Sequence, residues 1–324
     1  MYYALCAGVC LAAFCLVAAL GTAGLLAAAP LLRWAVRRRT ARSRAALCFA
    51  AGILPAAAAL LISLAVVLPA FLLFEPPWSG EPIGRHVPVL AAAGLALIFM
   101  VLYRALALQR ATRRVQRAWK RNASPLGLSA RGCSVLEVRE NGALLGTIGV
   151  LRPHVYASRE VVSCLTGDEL SAALAHEAAH IDAADNLKRL LVQSCSPGCW
   201  LDRRAHLHAE WTLASEIAAD EGAIEAGACA LDLASALVKV GRMHSSPHAL
   251  SGASHLLATP AESQLAVRLR HLGRMVETGA PPLRQGRHAR HAALWLAAAT
   301  LLLYGTFFPR LMYSAHELLE RFVR

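Results

Sequence analysis

Four stretches of this chain, roughly 2–32, 45–74, 87–108 and 292–308, are long and apolar enough to cross a lipid bilayer, which takes about 20 residues of helix. No other feature narrows the fold as much. Inside hydrocarbon every backbone N–H and C=O must be satisfied by the chain itself, so continuous apolar runs of this length predict membrane helices. Composition agrees, because a chain of 324 residues that is 56% hydrophobic and only 17% charged is too apolar for an ordinary soluble protein. The first run is a permanent anchor and not a cleavable signal, since its charges follow the apolar segment and the segment is too long. Pro55 and Pro69 interrupt the second run, which is tolerated where neighbours satisfy the freed backbone groups. In the fourth, Trp295 and Tyr304 are placed as interfacial anchors and Arg310 can snorkel.

The formal net charge is +12, with much of the basic excess clustered beside the apolar runs at 33–44 and 104–121. That placement points to a bilayer surface and away from nucleic acid, for which no aromatic-interleaved basic motif is present. The loop 33–44 is rich in arginine and has no acid, whereas 75–86 is proline-rich and nearly neutral, so the first belongs in the cytoplasm and the second outside. A multi-pass protein of the plasma (inner) membrane follows, with its amino terminus outside, the region from about Tyr103 to His291 cytoplasmic, and a short tail outside. The domain organisation is three spans within 1–110, a cytoplasmic domain at 111–290, and the fourth span with its tail at 291–324. Cys6, Cys10, Cys15 and Cys48 lie in apolar runs and read as small buried hydrophobes. Cys195 and Cys199 read as reduced thiols around a Ser-Pro-Gly turn, their spacing fitting no zinc knuckle.

Within the cytoplasmic region, Val135, Leu136 and Val138 are separated from Leu144, Leu145, Ile148 and Val150 by Glu140-Asn141-Gly142, which predicts a β-hairpin. Thr166 and Glu169 form a capping-box pattern that opens a helix running through His180 to about Leu191. A second helix is expected over 203–226 and weaker helical stretches to Glu277. The Gly- and Pro-rich segment 278–290 reads as a linker.

His176-Glu177-Ala178-Ala179-His180 falls in the middle of the first of these helices. Histidines four apart share one helix face, with β-carbons about 5–6 Å apart, close enough for both imidazoles to reach one ion. Leu170, Leu174 and Ile181 define an apolar stripe, and Glu177 falls between it and the histidines, suiting a general base toward zinc-bound water. A catalytic zinc site needs a third protein ligand and keeps one position for water. Glu216 is the candidate, flanking the stripe Leu213, Ile217 and Ile224 of the second helix, so that packing stripe on stripe would bring it toward the histidines. Asp220, one turn on, and Asp185 are candidate acceptors for the outer imidazole N–H groups. His206 and His208 are candidate oxyanion stabilisers, against the simpler reading of solvent-facing histidines.

These residues resemble a known family. The run from Gly149 to Tyr156, then Leu165, Glu169-Leu170, Ala175 to His180, Asp185-Asn186-Leu187 and Glu216 to Asp220 are similar to the membrane metallopeptidase domain of the BlaR/MecR antirepressor type. The similarity covers most of 104–230. It implies a gluzincin-like zinc site with Glu216 as third ligand and regulated proteolysis in the cytoplasm, in some members of a transcriptional repressor and in some of the protein itself. Penicillin-sensing members carry a large extracellular domain after the fourth span. Here about fifteen residues follow it, so that sensor domain is not expected.

The expectation is a mainly α integral membrane protein with four transmembrane helices and a cytoplasmic α+β zincin-like domain containing a small hairpin or sheet. Its activity would be zinc-dependent hydrolysis of peptide bonds in a cytoplasmic or membrane-proximal protein, serving signal transduction. The alternatives are a quality-control or processing protease of the HtpX or CAAX kind, which tends to place spans between its two motifs, and a non-catalytic membrane sensor that retains the protease fold.

Overall fold

The computed structural model describes residues 2–37, 39–76, 84–139, 144–195, 202–244, 261–279 and 287–323, apart from the side chains of 37, 202–206, 244, 261–263 and 287–297. The chain divides into two compact units, one of 1–34, 50–103 and 284–324, the other of 35–49 and 104–283.

The first unit holds most of α1 (Tyr2–Arg37) and α2 (Ala41–Ile62), all of α3 (Leu68–Phe74), the first half of α4 (His86–Arg121), and the last helix, α11 (Arg287–Val323). The segments Tyr2–Val36, Ala41–Phe74 and His86–Arg121 are each long and apolar enough to cross a membrane. The second of these runs through a π-helical turn, Ser63–Val67. Pro69 has no N–H for the carbonyl of Ala65 and its ring crowds that oxygen, so the turn widens there. The hydroxyl of Tyr304 donates to the freed Ala65 carbonyl at 2.5 Å, supplying the neighbour that the proline requires. A Cβ at Gly94 would run into the Leu11 carbonyl, so glycine is what lets α4 lie against the backbone of α1.

The expected fourth span lies within α11, with Trp295 among the residues whose side chains are not described. The helix does not stop at 308. It continues unbroken through Pro309 to Val323, and Leu319, Phe322 and Val323 pack against Tyr2, Leu5, Phe71 and Val87. The tail is therefore a packed helical end instead of a loose appendage, because its apolar residues recur at helical spacing and bury against the beginnings of α1 and α4.

In the second unit, four strands follow α4: β1 (Ala123–Ala130), β2 (Cys133–Val138), β3 (Leu145–Ile148) and β4 (His154–Ser158), in the order β1-β2-β4-β3. The expected hairpin between the second and third segments is not formed. β2 pairs in parallel with β4, and β3 pairs antiparallel with the other side of β4. The reason is burial: Val155, Tyr156 and Ala157 are all buried, so β4 is apolar on both faces and takes the centre, while β3, with Gly146 and Thr147, goes to the edge. The Glu140-Asn141-Gly142 turn lies outside the described residues. One sheet face packs Val135, Val155 and Ala157 against Leu170 and Leu174, and the other packs Val138, Ile148 and Tyr156 against Trp119 of α4.

After the short α5 (Arg159–Cys164) come α6 (Gly167–Asp182) and α7 (Asp185–Cys195). The expected single helix is thus two. It breaks at Ala183–Ala184, where Ala184 adopts φ +52°, a left-handed conformation that ends helices. Next are α8 (Asp202–Glu225), α9 (Ala230–His244) and α10 (Ala261–Thr278). The beginning of α2 belongs to this unit too, through ion pairs from Arg42 to Glu225 at 2.6 Å and Arg44 to Glu210 at 3.0 Å. Residues 196–201, which include Cys199, and most of the expected linker lie outside the described residues.

Candidate metal site

Helix α6 begins where the sequence sets it. Thr166 accepts from the Glu169 N–H at 3.3 Å and Glu169 accepts from the Thr166 N–H at 2.8 Å, closing the capping box. Leu170 and Leu174 then face the sheet, which turns the side bearing His176, Glu177 and His180 toward α8 and the edge strand. The expected stripe-on-stripe packing is only partly formed: Leu170 and Leu174 of α6 face the sheet, while Ile224 of α8 packs into the cluster around Ala172. Small residues fill the contact: Ala172 packs with Ala223, and a Cβ on Gly222 would stand 2.9 Å from the Ala179 Cβ. Small side chains let the two axes approach closely, and that approach carries Glu216 and Asp220 to the histidines.

His176 Nε2 and His180 Nε2 are 3.1 Å apart. Glu216 Oε2 lies 3.5 Å from His176 Nε2, and Glu216 Oε1 lies 3.7 Å from His180 Nε2. Three donors at about 2.0–2.1 Å from one tetrahedral ion stand roughly 3.3–3.4 Å from each other, and the two nitrogens and the Glu216 carboxylate are grouped closely enough for all three residues to reach one divalent ion. The outer nitrogens add a second argument. His180 Nδ1 bonds Asp185 Oδ2 at 2.7 Å, and Asp220 Oδ1 stands 2.9 Å from His176 Nδ1, an ion-pair contact out of line for a well-formed hydrogen bond. Carboxylates at both Nδ1 atoms favour protons there, so the nitrogens left to bind a cation are the two Nε2 atoms that face one another.

The break between α6 and α7 is what places Asp185. An uninterrupted helix would carry residue 185 about 500° around the axis from residue 180 and well past its ring, whereas the turn at Ala184 brings the first residue of α7 back against it. Asp185 is buried, and Lys188 lies 3.5 Å from its second oxygen.

Glu177 lies beside the triad and accepts a hydrogen bond at 2.8 Å from the hydroxyl of Thr147 on the edge strand. Both line a cleft of about 230 Å³ together with the three candidate ligands. Its lining includes polar Asn186 and Arg189 of α7 and apolar Leu233, Leu237 and Val240 of α9. Asn186 donates to the carbonyls of Thr147 and Gly149 at 3.0 and 3.1 Å, tying α7 to the end of the edge strand.

Arg268 of α10 was not among the residues singled out in the sequence. Its Nη1 donates to Glu216 Oε2 at 2.9 Å, while Nε and Nη2 hold Asp220 Oδ2 and Oδ1 at 2.9 and 2.7 Å. The signal for it is an arginine on the buried side of an amphipathic helix, three residues after Leu265 and four before Leu272. Burial pushes the carboxyls of Glu216 and Asp220 up, but the Arg268 charge and the nearby imidazoles outweigh it, so both are held below the usual carboxylate range. Burial depresses His180, yet Glu216 and Asp185 overcome it and carry its pKa to about 10. His176 is raised in the same way, burial being outweighed by Asp220 and Glu216.

His208 is not part of this cleft. It packs on Trp211 with ring centroids 5.8 Å apart, and burial, then the Arg189 charge, lower its pKa. The side chain of His206 lies outside the described residues.

No curated protein and no solved structure matches this chain significantly. A family model does: that of the BlaR1 peptidase M56, over residues 88–272. The match takes in more than half of the chain, including the His176–His180 motif, Glu216, Asp220 and Arg268, and by it this protein belongs to the BlaR1 peptidase family, M56.

Proposed function

We propose that the protein is a membrane zinc metalloendopeptidase in which His176, His180 and Glu216 hold the ion and Glu177 is the general base. The observation that carries this reading is the convergence of two Nε2 atoms 3.1 Å apart with the Glu216 carboxylate, whose Oε2 lies 3.5 Å from His176 Nε2 and whose Oε1 lies 3.7 Å from His180 Nε2, opening on a cleft that Glu177 also lines. Zinc held there supplies a Lewis acid that acidifies water and polarises a carbonyl. Glu177 takes the proton of the attacking water and hands it to the leaving amine nitrogen. Asp185 and Asp220 orient the two imidazoles, and Thr147 fixes the Glu177 carboxylate on the cleft side of α6.

The edge strand gives the substrate its form. Leu144 bonds back to Ser158 of β4, so the alternate residues Leu145 and Thr147 turn their backbone groups outward toward the cleft. Asn186 already occupies the Thr147 and Gly149 carbonyls. An extended peptide therefore pairs beside Leu145, with side chains received by the apolar wall of α9.

The substrate in this reading is a cytoplasmic or membrane-proximal protein segment, with a transcriptional repressor as the family's suggestion, and the role is regulated proteolysis in signalling. The arginine-rich loop supports a four-span topology in the plasma membrane with the peptidase unit inside. The test is purified full-length protein in detergent, loaded with one equivalent of zinc and offered β-casein. Glu177→Gln is expected to keep its zinc and lose cleavage by at least a hundredfold. Unchanged cleavage with zinc retained rules out Glu177 as the base, and zinc retention by a His176→Ala/His180→Ala double variant rules out the site.

A further inference from the structure

The Arg268 guanidinium touches two acidic side chains of α8 at once. Glu216 and Asp220 stand one helical turn apart, and Asp220 is completely buried. Two carboxylates so close in a poorly hydrated place repel each other and lose water, and either alone would rotate away. The planar fork of the arginine spans them: two nitrogens grip both Asp220 oxygens, and the remaining one takes Glu216 Oε2. The side chain is only 12% exposed, so the clamp is shielded from solvent screening. Through it α10, about fifty residues away in the chain, reaches the site.

We propose that Arg268 is a positioning residue that locks Glu216 and Asp220 into one rigid unit and, by engaging Oε2, presents Oε1 of Glu216 as the single oxygen offered to the ion. The inference rests on the ligand set proposed above. The guanidinium also approaches His176 Nε2 to 3.5 Å, so a small displacement of Arg268 disturbs an imidazole as well as the acid. Lysine cannot replace it, because a point charge cannot grip three oxygens in a fixed plane.

Charge and position give opposite signs, which makes the inference testable. Removing a cation beside the site, considered as charge alone, strengthens metal binding. Losing the clamp frees Glu216 to turn away or to close on the ion with both oxygens, which weakens binding or raises the coordination number.

The experiment uses full-length protein in detergent, stripped and reloaded with cobalt(II), in wild-type, Arg268→Lys and Arg268→Ala forms. Visible absorption reads coordination number, competition with a chromophoric chelator reads affinity, and thermal unfolding checks the fold. The expected result is a strong four-coordinate spectrum in wild type, and in both variants weaker, shifted bands with a ten- to hundredfold loss of affinity. Should Arg268→Ala not fold, Arg268→Lys, which keeps the charge, decides alone. A wild-type spectrum and affinity in the folded lysine variant overturn the inference, as does tighter binding in the alanine variant. A His176→Ala control separates the two readings: if it leaves cobalt binding intact, the ligand set itself is wrong, whereas if it abolishes binding and the Arg268 variants remain normal, only the clamp fails.

Discussion

Gly222 of α8 lies directly against Ala179 of α6, and a methyl group on that glycine would come within 2.9 Å of the alanine Cβ. Neither atom has freedom to yield, since each is a first side-chain carbon on a helix. This contact limits how closely the two helices that carry the candidate ligands can approach.

Gly222→Ala puts two effects in competition. Alanine favours an exposed helix over glycine by about 1 kcal/mol. Overpacking a tight contact costs roughly 1–3 kcal/mol, and here the strain falls between the helices that carry Glu216 and His176. The expected outcome is a lower unfolding temperature together with weaker zinc binding by chelator competition. An alanine variant as stable as wild type, with unchanged zinc affinity, would show that the helices are not held at this distance.

Asp185 owes its place to the break after α6, and its carboxylate fixes which nitrogen of His180 carries the proton. Asp185→Ala removes that acceptor and lets the ring turn. A ten- to hundredfold loss of zinc affinity is expected, with little change in helix content by circular dichroism. Asparagine in its place accepts the same hydrogen bond without the charge and recovers part of the loss. Equal affinities in all three proteins would remove Asp185 from the site.

The residues that gather at the candidate site were more legible in the sequence than the architecture that gathers them. The motif spacing on α6, the capping box at Thr166, and the spacing of Glu216 and Asp220 on α8 all depend on local rules, in which residues three or four apart share a face. The strand order was hidden because it depends on a comparison between segments. Val155 to Ala157 outcompete Leu144 to Ile148 for the centre of the sheet, and an Asn-Gly signal says nothing about that. The helix break was hidden since Ala184 is a good helix former, and only the pull between His180 and Asp185 accompanies its left-handed turn. Arg268 was hidden by surrounding basic residues, its partners lying about fifty positions away.

Glu169 supplies a pH dependence outside the metal site. Lys239 at 2.6 Å, the Ser235 hydroxyl at 2.6 Å and the Thr166 N–H lower its pKa from an ordinary 4.5 to about 2. The folded chain therefore holds this carboxylate ionised where the unfolded chain takes up a proton. Its stabilisation is complete above the ordinary carboxyl range and disappears as pH falls from there toward about 2. Glu169→Gln should be less stable than wild type at pH 7 and should approach it near pH 2.5, measured by chemical unfolding of the apo protein. A gap that stays constant across that range would mean that the carboxylate contributes through shape alone.

Thr147 is the last link between the edge strand and the reaction. Its hydroxyl donates to Glu177 at 2.8 Å, and its carbonyl is held by Asn186, so the donor is aimed from a backbone that cannot drift. A hydrogen bond to a charged group contributes about 1.5–3 kcal/mol, and in the proposed mechanism the part that holds Glu177 in line with the attacking water acts on the chemical step. Thr147→Val keeps the shape and the β-branched strand preference but removes the donor. We expect kcat to fall about tenfold, with KM and zinc content unchanged, whereas Thr147→Ser, which keeps the hydroxyl, should remain within a few-fold of wild type. A valine variant that raises KM and leaves kcat alone would move Thr147 from holding the base to lining the peptide groove, since strand pairing affects binding before it affects proton transfer.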